Sequence, residues 1–277
     1  MDGQGAGRSE ARLRAKRRRA RRGAAISAAS TVVVLGGLAA IVLTSSGWHA
    51  FHATFLSWSV FKDSFPDVLG GFWLDVKLFV IVEAIVLALG LVVALTRVTS
   101  GPVLFPLRLL ATVYTDVFRG IPTILLVYLV GFGIPALELR GVPADPVVLG
   151  GFALALSYSA YVAENYRAGI QSVHPSQRAA ALSVGLTESQ AMRHVILPQA
   201  VRRVVPPLMN DFIALQKDVA LVAILGPQEA FRIAQIYGSS HFNYTPLLAA
   251  AVLYLCVTIP MARFVDHLQK RTRETRS

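Results

Sequence analysis

The chain lacks much of what soluble and secreted proteins depend on. It has one cysteine, Cys256, which lies inside an apolar run, so neither an intrachain disulfide nor a thiolate metal cluster can be built. Charged residues make up only 16% of its 277 positions, where a soluble domain carries about a quarter. No GxxxxGK run followed by Ser or Thr is present, which excludes ATP hydrolysis through a phosphate loop. Internal repeats and pore-filter motifs, the marks of a transporter or channel that works alone, are missing too. His49, His52 and His241 are scattered without a carboxylate or thiolate beside them, a pattern of ordinary loop residues rather than a metal site.

What the chain has in excess is apolar sequence. Hydrophobic residues reach 54%, mean hydropathy is +0.55, and the apolar residues gather into runs of about twenty, the helix length that crosses about 30 Å of hydrocarbon. The expected fold class is therefore all-α, a polytopic membrane helix bundle of about six transmembrane helices with a cytoplasmic loop that carries short helices. The expected spans cover 24–45, 72–96, 108–134, 147–167, 203–225 and 245–265.

The formal charge of +11 does not point to nucleic acid. Nine of the 27 Lys and Arg residues lie in the first 23 positions, in RSEARLRAKRRRARR, and no aromatic residue interleaves them for base stacking. Next to a span, such a segment reads as a solvated tail that lies on anionic lipid and sets topology. With it inside, the even-numbered connections are cytoplasmic. Arg97 and Arg108 flank one of them, Arg167, Arg178, Arg193, Arg202 and Arg203 mark the next, and Arg263, Lys270, Arg271, Arg273 and Arg276 mark the end of the chain. The outer connections hold only Lys62, Arg140 and Arg232 among basic residues. The expectation is a multi-pass protein of the cell membrane, with both termini and the 168–202 segment in the cytoplasm. Its parts are a basic tail (1–23), an extra N-terminal span (24–45), an outer connection (46–70), a transmembrane domain (71–268) and a short cytoplasmic tail (269–277).

The most informative segment is QRAAALSVGLTESQAMRHVILPQ, residues 177–199. Pro175 suits the first turn of a helix, Ala179, Ala180 and Ala181 propagate it, and Gly185 can stop it in the left-handed conformation. Thr187 and Gln190 have the spacing of a capping box that starts a second helix. That helix carries Met192, Val195 and Ile196 on one face and is expected to end before Pro198. Packing of this face on the chain's own spans and docking of a cytosolic partner are both compatible with that pattern.

The segment resembles the EAA loop of ABC-importer permeases, a Glu-Ala-Ala start followed by a glycine, a spacer and an Ile-Leu-Pro ending. The matching residues are Ala180, Ala181, Gly185, Ile196, Leu197 and Pro198, with Gln177 in the flank; Ala179 stands at the motif's acidic position. The resemblance covers about residues 70–268. TDVFRGIPTILLVYLVGFGIP (115–135), YVAENYRAGIQSVHPSQ (161–177), PPLMNDFIALQKDVALVAILGPQE (206–229) and FNYTPLLAAAVLYL (242–255) are similar to ordered segments of the polar amino-acid uptake permeases. The resemblance implies a permease subunit without enzymatic activity or a cofactor of its own. Its implied partners are a second permease subunit, homo- or heterodimeric, a solute-binding protein outside and a pair of cytoplasmic ATPases, which bind the ATP and Mg. The EAA helices would transmit ATPase closure to the spans, and loss of the acid at Ala179 would leave coupling to helix shape and apolar contact. A secondary transporter or channel for small solutes, or a membrane scaffold, are the alternatives.

Ionisable residues inside the spans are candidates for the path, because charge in a bilayer usually faces the bundle or a watery cavity. Asp116 and Arg119 precede Gly120 and Pro122, which can break the third span and leave a half-helix N-terminus that favours an anion; equally compatible is an interfacial helix over 105–118 with Arg119 at the cytoplasmic lipid boundary. In the fifth span, Pro206 and Pro207 precede Asn210, Asp211, Gln216, Lys217 and Asp218; Asp211 and Asp218 share a helix face, with Asn210 and Lys217 on the adjacent stripe, which either lines the path or the subunit interface or forms a structural ion-pair network between spans. Glu83, near the middle of the second span, can receive a substrate ammonium or pair with Lys217. Glu164 belongs to the same candidate set.

Overall fold

The computed structural model describes the backbone of residues 3–99 and 101–274 and the side chains of 22–99 and 101–269. The chain divides into two units, 1–56 and 57–277.

In the first unit, α1 (Gly3–Thr44) runs without interruption from the basic tail through the expected first span. The helix is continuous across residue 24, where the basic tail gives way to the apolar stretch Arg22–Thr44, since Ala, Arg and Lys propagate a helix as readily as the apolar residues after them. The side chains of most of the basic tail lie outside the described residues. From Arg22 to Thr44 the helix is apolar and none of it is buried. After a turn, α2 (Trp48–Phe55) stacks Phe51 on Trp48 at 5.8 Å and on Phe55 at 5.1 Å.

The second unit begins with α3 (Trp58–Val98), which spans roughly 60 Å at 1.5 Å per residue, twice a hydrocarbon core of about 30 Å. It takes in part of the stretch expected as an outer connection, because Pro66 is accommodated inside the helix and Ser64, Val68, Gly71 and Phe72 are buried. The third expected span is broken. The helix α4 (Phe105–Gly120) and its successor α5 (Thr123–Ala136) meet at 104°, at the Gly120–Pro122 break.

The centre of the unit is α6 (Pro146–Gln171), begun by Asp145, whose side chain accepts from the Val148 N–H. Small buried residues on it, Ala153, Ser157, Ser159, Ala160 and Ala163, let neighbouring helices come close, as in membrane helix packing generally. Around it Leu78, Val82 and Val86 of α3, Val127 and Val130 of α5, and Leu154 and Val162 form the main core.

The short helices α7 (Pro175–Ser183) and α8 (Glu188–Ala191) lead through a widened turn, Met192–Ile196, into α9 (Leu197–Asp218). A tight 3-10 stretch, Val219–Leu225, follows. Then come α10 (Ala230–His241) and α11 (Thr245–Glu274). Four stretches among the described residues are long and apolar enough to cross a membrane: Arg22–Thr44, the one containing α3, Pro146–Gln171 and Thr245–Gln269; the bent α4–α5 pair makes a fifth. The stretch expected as the fifth span does not qualify. Arg202, Arg203, Asp211, Lys217 and Asp218 make α9 too polar, and the apolar remainder is the 3-10 stretch.

Candidate functional site

The loop between α6 and α9 is built by local chemistry. His174 accepts at Nδ1 from the Ser176 N–H and sets the start of α7, with Pro175 in its first turn. At the other end Gly185 N–H bonds Leu182 C=O at 3.0 Å and Leu186 N–H bonds Ala181 C=O at 3.2 Å, the paired closure of a helix ending on a left-handed residue. Gly185 holds φ +89°, where a side chain would be strained. Thr187 and Gln190 form the capping box in both directions: Thr187 N–H to Gln190 Oε1 at 2.9 Å, and Gln190 N–H to Thr187 Oγ1 at 3.3 Å. Across the glycine, Arg178 Nε donates to Glu188 Oε2 at 2.9 Å and ties the two helices together.

The helix does not end before Pro198. It continues into α9 through the widened turn, in which Leu197 N–H bonds Met192 C=O, five residues back. That wider ladder accommodates a proline, which has no N–H to offer and whose ring would crowd a regular α turn. The expected apolar face is split: Ile196 is buried with Val173 and Ala200, Val195 packs against them, and Met192 stays exposed. Of the loop residues matched to the EAA pattern, Ala181 and Ile196 are buried, while Gln177, Ala179, Ala180, Gly185, Leu197 and Pro198 are exposed. Gln199 Nε2 donates to Gln177 Oε1 at 3.3 Å.

The polar face of α9 lies against α6. Asp211 Oδ2 accepts from Asn165 Nδ2 at 2.5 Å, and Asp218 Oδ2 accepts from the Tyr158 hydroxyl at 2.8 Å. The two rungs have the same spacing on both helices, as two antiparallel neighbours require. Tyr158 was not among the sequence candidates, although its distance from Asn165 equals that from Asp211 to Asp218. Glu83 is buried on α3, and its charged neighbour is Asp211. The alternative pairing of Glu83 with Lys217 is not formed among the described residues, and Lys217 is exposed. Asn210 is exposed and lines, with Asn165, Gly169, Ser172, Arg203 and Gln269, a cleft of 760 Å³.

Glu164 collects arginines. Arg97 of α3 reaches it at 2.8 Å, Arg167 at 2.5 Å, and Arg119, at the end of α4, at 3.8 Å. The Arg119 guanidinium also stands 5.6 Å over the Tyr161 ring, whose hydroxyl donates to Arg119 C=O at 3.2 Å. The expected half-helix end is present at Pro122–Thr123, where Thr123 Oγ1 lies 3.2 Å from Ser157 Oγ. Asp116 is exposed and makes no ion pair with Arg119 among the described residues.

A helical unit with several membrane-length apolar stretches, a folded polar loop and charged residues facing one another between helices defines a membrane-spanning transport component. Its comparison with known proteins is specific. The chain belongs to the family of binding-protein-dependent transport system inner membrane components, which residues 87–274 match. It is similar to the probable glutamine ABC transporter permease protein GlnM of Bacillus subtilis, with 37% identity over 78% of this chain and 98% of that protein. The glutamate/aspartate import permease protein GltK of Escherichia coli is 33% identical over 78% of this chain and 97% of its own length. Among solved structures, one of an amino acid ABC transporter with histidines matches with a TM-score of 0.70 and 33% identity, covering 78% of this chain and 98% of that one. The family match begins at residue 87, inside the second unit.

Proposed function

We propose that this chain is the permease subunit of an importer for a polar amino acid, driven by a cytoplasmic ABC ATPase pair that binds the ATP and Mg. The observation that carries this reading is the loop at 175–198. Two short helices are fixed about a left-handed Gly185 by a capping box and an ion pair, and they leave Ala179, Ala180, Val184 and Met192 exposed. Such a rigid, exposed knob transmits a push better than a mobile loop does. The names of the relatives, glutamine and glutamate/aspartate permeases among them, support the substrate class.

In this reading the loop receives the ATPase on the cytoplasmic side, with both termini on that side as well. A second permease subunit completes the path, and a solute-binding protein delivers the substrate from outside. The path runs along the polar α6–α9 face, past Glu83, Asn210, Asp211 and Asp218, and Arg119 stands at the α4–α5 break. The experiment is co-purification of the chain with its cognate ATPase from membranes, together with uptake of labelled amino acids by the reconstituted complex. Gly185→Trp should abolish both while leaving the chain inserted and folded. Retention of the ATPase and of coupled uptake would overturn the assignment of the loop.

A further inference from the structure

The arginines at the junction of α3, α4 and α6 outnumber the acids that face them. Among the described residues, Arg97, Arg119 and Arg167 share the carboxylate of Glu164, and Arg108 pairs with no carboxylate. Among the described residues, the Arg108 guanidinium contacts Thr99 C=O at 3.5 Å and lies 5.6 Å over the Phe105 ring. Asp116, the acid of α4, pairs with none of them among the described residues. Among the described residues, four guanidiniums against one carboxylate leave a local excess of positive charge that an outside anion would neutralise.

Three of these arginines, Arg97, Arg108 and Arg167, wall one cavity of 270 Å³. Thr112 adds a hydroxyl to it, while Phe105 and Leu109 supply its apolar side. The last two belong at the same time to the outward apolar face of α4, where Phe105 is 53% and Leu109 51% exposed beside Leu107, Leu110 and Val113. The hollow is therefore cationic within and continuous with a surface suited to acyl chains. A free anion such as phosphate would use the first feature and leave the second without a purpose. An amphiphile with an anionic head uses both, and basic hollows between membrane helices hold lipid headgroups in this way.

We infer that the cavity between the end of α3, the start of α4 and the end of α6 is a binding site for the phosphate headgroup of an anionic phospholipid. The phosphodiester sits among Arg97, Arg108 and Arg167. The acyl chains, too large for 270 Å³, run along Phe105, Leu109 and the rest of the α4 face. A bound lipid would brace α4, the half-helix before the break, against α3 and α6. This inference needs only that α4 borders lipid, so it stands or falls separately from the coupling role of the 175–198 loop.

Native mass spectrometry of the full chain, released from nanodiscs of phosphatidylcholine mixed with phosphatidylglycerol, tests it. Arg108→Gln is the informative variant, because Arg108 leaves no carboxylate unpaired when it is removed. A basic residue near an anionic surface contributes enough that its loss should lower retained phosphatidylglycerol about fivefold, with phosphatidylcholine unchanged. Arg108→Lys should restore most of the binding, and Arg263→Gln, on α11, should change nothing; this pair of controls separates the site from lipid held by the basic tail. As a second readout, added phosphatidylglycerol should raise the melting temperature of the natural chain in detergent but not that of Arg108→Gln. Equal retention in Arg108→Gln and the natural chain overturns the site. Displacement of the lipid by millimolar inorganic phosphate, with no preference for phosphatidylglycerol, makes it a phosphate site instead. Loss of the lipid on assembly with a second permease subunit assigns the cavity to that interface.

Discussion

Asp75 of α3 and Glu229, the residue that caps α10, bring two carboxyl groups together inside the protein, with 2% and 1% of each residue exposed. The Tyr254 hydroxyl of α11 donates to Asp75 Oδ2 at 2.8 Å, and Glu229 accepts from the N–H groups of Phe231 and Arg232 at 2.8 and 2.6 Å. Asp75 Oδ1 makes no hydrogen bond among the described residues. Two carboxylates so placed repel, whereas a single proton on Glu229 gives Asp75 Oδ1 the donor it lacks. The approach depends on Gly71, one turn before Asp75: a Cβ there would stand 2.7 Å from both Ala230 N and Glu229 C.

The pair makes stability depend on pH. Glu229 lies outside the spans, and burial, reinforced by the charge of Asp75, pushes its pKa from 4.5 up to about 8. Between these two values the folded chain holds a proton that the unfolded chain has released, so the stabilisation is complete below pH 4.5 and is lost as pH rises through about 8. The melting temperature in detergent should fall steadily across that window. Glu229→Gln, which keeps a donor and removes the titration, should flatten the profile. An unchanged slope in that variant would mean that the proton is held elsewhere.

Much of the loop was legible in the sequence because its determinants are local. Pro175, Gly185, Thr187 and Gln190 act within a few residues of themselves, and each does what its chemistry dictates. The break of the third span was legible for the same reason, in Gly120 and Pro122. The ion-pair and carboxyl clusters were not, since Arg97 and Glu164 lie 67 residues apart and only the packing of α3 on α6 joins them. Pro198 misled as a helix terminator because the widened turn before it absorbs the missing N–H. The stretch 58–70, expected as part of an outer connection, is helical as the start of α3, with Val68 packed against α10 and α11. Asp75 and Glu229 gave no signal, since a lone acid in an apolar run does not show which distant residue it meets.

The capping box should set the order of the coupling loop. Thr187→Ala removes one partner of the reciprocal pair and should cost about 1 kcal/mol of local stability. Hydrogen exchange at residues 188–191 should then speed up about fivefold, the equivalent of that energy. Arg178→Gln should do much less, because both members of the Arg178–Glu188 pair are more than half exposed and solvent screens them. Faster exchange in Arg178→Gln than in Thr187→Ala would show that the ion pair, not the cap, holds the second helix.

Glu83 is buried beside Asp211 with no basic partner among the described residues, which leaves its carboxyl free to meet a positively charged substrate. Glu83→Gln should leave assembly intact and lower uptake of basic amino acids more than that of neutral ones. Competition assays on the reconstituted complex measure the difference. Loss of assembly in the variant would make Glu83 a packing residue instead.

The three arginines around Glu164 are not equivalent, and their geometry ranks them. Arg97 is 12% exposed and 2.8 Å from the carboxylate, while Arg119 is 39% exposed and 3.8 Å away. Arg119→Gln removes a long, screened contact and should cost less than about 1 kcal/mol. Arg97→Gln removes a shorter, shielded one and should cost more. Glu164→Gln should be the most damaging, because it leaves Arg97, Arg119 and Arg167 together without their shared anion. Breaking a fully buried pair costs about 3–5 kcal/mol, and the partial exposure of this cluster places the expected loss toward or below the lower end of that range. Unfolding of the three variants in mixed micelles gives the order directly. The sharper test is a double variant: with Arg97 already replaced by Gln, Glu164→Gln should cost less than it does alone, because fewer guanidiniums are left unpaired. Strict additivity of the two changes would mean that Glu164 stabilises the junction through packing and not through charge.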